Sequence, residues 1–299
     1  MDKTTEKSRK KWVAYTLYGI LLALGLLYYR FPSEAFQGFL QARVEKVNPQ
    51  LALSMERVSP SFTFGLKFLE PELHLKTTPQ KLLFKADRLL VRPTIGSLFR
   101  DEWTFCYKAL AYNGVFEGCT SVAKEGNDAP FQSSLVLKDV PMGEDNPLKE
   151  VIGRNLEGVL NGTVTYSGQS KSLIRGTGEV DLRLSEGRIE LVEPIMSLDG
   201  IGFHEVLIKM SLNNRKLNLT RVALRGTNMN GTLTGVVNLN GEITRSSLNL
   251  RGTLEPFADF IKDLTDSPDT VRLIRQRLKR GKITFVIRGT LGEPNFRFM

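Results

Sequence analysis

Five stretches of this chain alternate by twos, apolar against polar, and each interrupts its apolar side with a glycine. On one parity stand Leu160, Gly162, Val164 and Tyr166; Val222, Leu224 and Gly226; Leu233, Gly235, Val237 and Leu239; Leu248, Leu250, Gly252 and Leu254; and Ile283, Phe285, Ile287, Gly289 and Leu291. A period of two belongs to a half-buried strand, so this half of the chain reads as sheet. The triplet Arg-Gly-Thr travels with the pattern and begins at Arg175, Arg225, Arg251 and Arg288. Arg and Thr then share the polar side, and Gly removes a side chain from the apolar one. Because glycine in a strand marks a bend, a bulge or a close backbone approach, Gly226, Gly252 and Gly289 are expected to let the sheet curve. Turn signals at intervals of roughly 8–14 residues predict an antiparallel meander, with no strand–helix alternation to suggest a parallel sheet. The expected fold is mainly β, an elongated, curled antiparallel sheet forming a groove or half-barrel. Leu233, Val237, Leu239, Leu248, Leu250, Ile283, Phe285 and Ile287 are the candidate lining of that groove.

The N-terminus has a different grammar. Residues 12–29 carry no charge, and about 18 apolar positions is near the minimum for crossing a bilayer as a helix. Lys3, Lys7, Arg9, Lys10 and Lys11 precede the run and only Arg30 follows directly, which predicts a cytoplasmic tail (1–11), a transmembrane anchor (12–29) and an exported body. A cleaved signal peptide is the competing reading; the length of the run and the lack of an A-x-A pattern argue against it. The net charge is +9. Residues 1–30 account for +4 of it, with six Lys/Arg against two Asp/Glu. The mild remainder does not resemble a nucleic-acid binder and suits weak attraction to anionic headgroups.

The chain has two cysteines, Cys106 and Cys119, either side of an Asn113-Gly114 turn signal. With a two-residue loop Asn113-Gly114 they are diagonal neighbours; with a loop over residues 111–114 they face each other. Either register permits a disulfide, and two reduced thiols in a β core is the alternative. Two thiols and two distant histidines, His74 and His204, make no metal-ligand set. No G-x-S-x-G, H-E-x-x-H or phosphate-loop motif occurs, so no catalytic, metal or cofactor site is expected.

Helical spacing occurs at both ends of the β region. Phe36, Phe39, Leu40, Val44 and Val47, with Ser33 as N-cap, predict an amphipathic helix within 30–49. It would either rest on the bilayer or plug the near end of the sheet. The β domain 50–299 is expected to hold a helical insertion at about 256–280, marked by Phe257, Phe260, Ile261 and Leu264 and then by a basic piece from Arg272 to Lys282.

These residues carry a resemblance. The basic tail and anchor ending in YYRFP, the helix SEAFQGFLQARVEKV, the segment MERVSPSFTFGLKFLEPELHL and the terminal GKITFVIRGTLGEPNFRF together resemble the type II secretion system protein N family. The terminal strands are also similar to those of AsmA-like and TamB-like envelope proteins. The resemblance implies a single-pass protein of the bacterial inner membrane with a periplasmic β domain. It would serve a secretion apparatus structurally or in assembly, with other envelope subunits as partners. The alternative it implies is a lipid-binding or lipid-transfer protein that takes phospholipid or other acyl chains into a β groove.

Overall fold

The computed structural model describes residues 3–47, 49–61, 65–76, 78–124, 129–143, 155–195, 198–263, 278 and 281–299. Two helices open the chain, α1 (Lys3–Tyr29) and α2 (Ser33–Val47). Strands β1 (Leu51–Ser54), β2 (Arg57–Ser61), β3 (Gly65–Leu69), β4 (Glu72–Leu75), β5 (Thr78–Lys85) and β6 (Arg88–Pro93) follow. Then come β7 (Glu102–Ala111), β8 (Gly114–Ala123), β9 (Pro130–Met142), β10 (Gly158–Gln169), β11 (Thr177–Ile195) and β12 (Leu198–Asn213). The last are β13 (Lys216–Gly226), β14 (Met229–Asn238), β15 (Ser247–Pro256), a short helix α3 (Ala258–Asp263), β16 (Ile283–Thr290) and β17 (Pro294–Phe298). Only α3 of the expected helical insertion is described; its continuation and the basic piece, but for Leu278, Gly281 and Lys282, lie outside the described residues.

Fourteen strands make one antiparallel sheet, β2-β3-β6 and then every strand in chain order to β17. A three-stranded sheet, β1-β4-β5, stands beside its start. Directly paired residues share a face, so the register carries the apolar parity across the whole sheet. Val58 pairs with Phe68 and Phe68 with Leu89; Phe116 pairs with Leu137; Leu160 pairs with Leu184, Leu184 with Val206 and Val206 with Leu224. At the C-terminal side Gly235 pairs with Leu250 and Leu250 with Ile287. The opposite face bears the charges, where Glu205 takes both Arg183 (3.0 Å) and Arg225 (3.3 Å), and Asp181 takes Lys209 (2.7 Å).

The edges differ. On the β2 side α2 covers the edge, since Val58 N–H donates to Ser33 Oγ (3.2 Å) and Gln37 Nε2 donates to the Glu56 carbonyl (3.3 Å). This is the plugging arrangement for α2. On the β17 side Met299 N–H donates to the Thr284 carbonyl (2.9 Å), and by strand alternation the main-chain groups of Phe296 and Phe298 point away from β16.

Hairpin connections alternate between two rims. One rim holds Tyr112-Asn113 and the β9–β10, β11–β12, β13–β14 and β15–β16 connections; the other holds the β6–β7, β8–β9, β10–β11, β12–β13, β14–β15 and β16–β17 connections. The turn after β7 is Tyr112-Asn113, both at positive φ (53° and 59°), with Ala111 paired to Gly114. The expected Asn113-Gly114 turn is thus displaced by one residue. Tyr112 explains the shift: its ring meets Phe84 and Phe116 edge-on, and its hydroxyl accepts the Lys85 N–H at 2.7 Å. The register that results is the one that sets Cys106 directly opposite Cys119, and the two are joined as a disulfide on the polar face.

Helix α1 runs 27 residues, and Trp12, Val13, Tyr15, Leu17, Tyr18, Ile20, Leu22 and Leu26 are exposed. Among the described residues no helix is long and apolar enough to cross a membrane. The side chains of Ala14, Leu21, Leu24 and Leu27, which belong to the apolar run, lie outside the described residues.

One clasp of three residues shows how the polar face is held. Glu117 Oε1 lies 2.6 Å from Lys108 Nζ and Oε2 lies 2.7 Å from Lys138 Nζ. Hydrogen bonds from these two ammonium groups lower its pKa from the ordinary carboxylate range to about 2. A carboxyl with a depressed folded-state pKa contributes stability above its unfolded pKa, and that contribution is lost as pH falls through the folded value. We therefore expect Glu117→Gln to lower the melting temperature slightly at pH 7 and to flatten the loss of stability between about pH 4.5 and 2. Thermal melts of both proteins across that window check this; parallel acid limbs would show that the clasp contributes nothing.

Candidate functional site

The apolar face is the largest chemical feature of the molecule, and it is built almost wholly by strand alternation. Six of the eight candidate groove residues come together. Val237, Leu248 and Leu250 form a buried cluster, and Leu217, Leu219, Leu233, Leu239 and Ile287 pack against it. Ile283 and Phe285 are also buried, nearer the rim that carries α3. A second cluster, Met142, Leu184, Phe203 and Val206, occupies the middle strands. Beside the first cluster, on the strands β10–β12, Val164, Val180, Leu182, Ile208, Met210 and Leu212 are only half-buried, with Met210 and Leu212 paired to Leu219 and Leu217. Each cluster is made of consecutive strands and not of two facing sheets.

Each triplet glycine has its own local surroundings. Gly252 is a seat: a Cβ there would run into the ring of Phe285 on the next strand. Gly176 is another, beneath the hydroxyl of Tyr166. Gly226 lets the chain turn toward Met229, whose carbonyl would meet a Cβ. Gly289 has φ +97° as the β16–β17 hairpin begins. Strands gain a residue at register shifts between Leu160 and Gly162, between Leu219 and Val222 and, beside Gly226, between Phe203 and Glu205. In the first, Asn161 clamps the extra residue, accepting the Asp139 N–H at 2.9 Å and donating to its carboxylate at 3.3 Å. Two glycines that interrupt the apolar side of the alternation mark these bulges from the partner strands, Gly162 and Gly235, at φ +157° and +144°.

A concavity of about 670 Å³ opens near the β10–β11 rim and is lined mostly from the polar face, by Ser121, Gln132, Ser134, Thr165, Ser167 and Thr177 among others. None of the eight candidate groove residues lines it. The histidines are placed apart. His74 Nε2 lies 3.1 Å from Glu72, which also holds Lys85 at 2.8 Å; His204 Nδ1 lies 3.3 Å from Glu186 at the surface. Among the described residues no three His, Cys, Asp or Glu side chains are grouped to hold a metal ion.

No protein-family model, no curated protein and no solved structure matches the chain.

Proposed function

We propose that this is a membrane-anchored protein of the bacterial cell envelope whose sheet shelters acyl chains on its apolar face. The observation that carries the reading is the half-buried middle of that face: Val164, Val180, Leu182, Ile208, Met210 and Leu212 form an apolar strip that no second layer of described residues covers. Apolar surface left in water costs about 25 cal/mol per Å², so such a strip is stabilised by an apolar occupant. The chain's own elements support the location. The uncharged run of residues 12–29 behind its basic flank, some of whose side chains lie outside the described residues, supports a cytoplasmic tail and an inner-membrane anchor. The disulfide suits an oxidising compartment such as the periplasm.

The test is chemical. A photo-crosslinking amino acid at Val180 or Ile208 in the full chain, activated in intact cells, should yield an adduct with phospholipid by mass spectrometry. The same group at Arg251, on the polar face, should give none. Adducts with protein alone at both apolar positions would overturn the lipid reading.

A second reading, a structural or assembly component of a secretion apparatus, is favoured by one observation: the edge of β17, which pairs with no further strand among the described residues. Main-chain groups that face away from the sheet are a template for a strand from another subunit. Copurification of one envelope protein with the full chain, abolished by Phe296→Pro, supports it; loss of nothing from the purified complex on that substitution counts against it.

A further inference from the structure

The two rims of the sheet are built oppositely. The largest fully buried apolar side chains, Phe203, Met229, Ile283, Val58 and Val140, all lie toward the rim that carries α3 and Tyr112-Asn113. Phe260 of α3 and Ala86 are buried on the same side. At the other rim the connections expose their apolar side chains instead: Phe99 is 91% exposed, Ile95 61%, Ile243 59%, Leu173 55% and Leu291 47%.

These exposed residues are not on loosely held loops. Three of the connections form 3₁₀ turns, Ile95–Phe99, Ser170–Arg175 and Ile243–Arg245. Each is fastened. In the first, buried Ser97 donates from Oγ to the Thr94 carbonyl at 2.6 Å. In the second, Tyr166 on the apolar face donates its hydroxyl to the Leu173 carbonyl at 2.8 Å. In the third, fully buried Ser246 accepts the Asn240 N–H on Oγ at 3.1 Å, and its carbonyl accepts the Leu291 N–H at 2.9 Å. A turn pinned in this way with its apolar side chain in water is arranged to meet something apolar.

Each turn also ends in arginine: Arg100 directly after the first, Arg175 closing the second and Arg245 closing the third. Among the described residues Arg100 and Arg175 make no ion pair, and Arg245 meets Glu242 at 2.8 Å in an exposed pair, which is cheap to open. The turns recur every four strands, after β6, β10 and β14, or roughly 19 Å apart at the usual strand spacing.

We propose that these three turns are stations for an amphiphile with an anionic headgroup, whose chain passes over the exposed apolar residue into the apolar face while the arginine holds the headgroup at the lip. This rests on the acyl-chain reading above and adds the headgroup class, the side of admission and the residues that select it. An arginine beside an apolar tip fits a phosphate or sulfate carried on a chain. Among the described residues of the rim that carries α3, no arginine closes a turn beside an exposed apolar tip, which favours entry past the three turns.

The experiment uses the full chain in a neutral detergent, with two fluorescent probes that share their acyl chains, phosphatidylglycerol and phosphatidylcholine. Phosphatidylglycerol should bind about five- to tenfold more tightly, and raised salt should narrow the difference. The variant Arg100→Gln/Arg175→Gln/Arg245→Gln should bring phosphatidylglycerol to the level of phosphatidylcholine and leave the latter unchanged, which also reports an intact fold. Inorganic phosphate in large excess should not displace the phosphatidylglycerol probe. Displacement by phosphate alone, equal affinity for the two probes, or a triple variant that keeps the preference would each overturn the stations. Binding of neither probe would overturn the acyl-chain reading itself, and the stations with it.

Discussion

Replacing Gly252 with valine is expected to be the most damaging single change on the apolar face. The ring of Phe285 occupies the space above Gly252, with three of its carbons within reach of any added Cβ, and Phe285 stacks in turn on Phe296 at 4.9 Å between centroids. A branched side chain must displace that ring, and the ring must then displace an edge strand. Overpacking of this kind costs about 1–3 kcal/mol, and we expect the upper end. Arg251→Gln, one residue away on the solvated face, should change stability by about 0.5 kcal/mol or less. The double variant Gly252→Val/Phe285→Ala should recover part of the loss, because the clash is between those two residues. Melts of the four proteins decide it. A Gly252→Val protein as stable as the parent would mean that the ring is free to move and that the seat is not specific.

The second large effect is expected from the disulfide. It closes a loop of sequence separation 13, and chain-entropy arguments assign about 3 kcal/mol to a closure of that size. Cys106→Ser/Cys119→Ser should lower stability by that order while leaving the hairpin register in place, since Lys108 and Glu117 still bridge the same two strands and Thr104 Oγ1 still meets Ser121 Oγ at 2.9 Å. Equilibrium unfolding in denaturant of the parent and the double variant measures the difference. A loss under about 0.5 kcal/mol would show that the hairpin is held by its neighbours β6 and β9 and not by its own crosslink.

How far the sequence carried the fold depends on what each residue had to know about its neighbours. Parity is local, so the two faces and the polar placement of Arg225, Arg251 and Arg288 could be read from spacing, and the short turn signals added the antiparallel meander from β6 to β17. Helix α2 was legible for the same reason, through its period; Ser33 opens it, and its hydroxyl serves the β2 edge by accepting the Val58 N–H. The turn at Tyr112-Asn113 was not, because Tyr112 adopts a costly positive φ only for contacts with Phe84, Phe116 and Lys85 made from other strands. The ring seats at Gly176 and Gly252 were hidden likewise, since a glycine's purpose there belongs to Tyr166 and Phe285. The small sheet β1-β4-β5 interrupts the meander early, and nothing in the period of two says which strand a given strand will choose. As for the site, six of the eight candidate lining residues pack together as their shared parity implies, but the difference between the rims arises from connections, where no periodicity speaks.

A meander in which each strand pairs only with its chain neighbours has a further property. Each hairpin is a module whose insertion or loss disturbs only the two junctions beside it, as in repeat proteins. Adding one hairpin between β10 and β16 would lengthen the sheet by about 10 Å and leave both ends, the helix-covered edge at β2 and the edge at β17, chemically the same. The reach of such a protein is therefore a number that duplication can set, and relatives built on this plan are expected to differ by whole hairpins more readily than by any change in the strands they share.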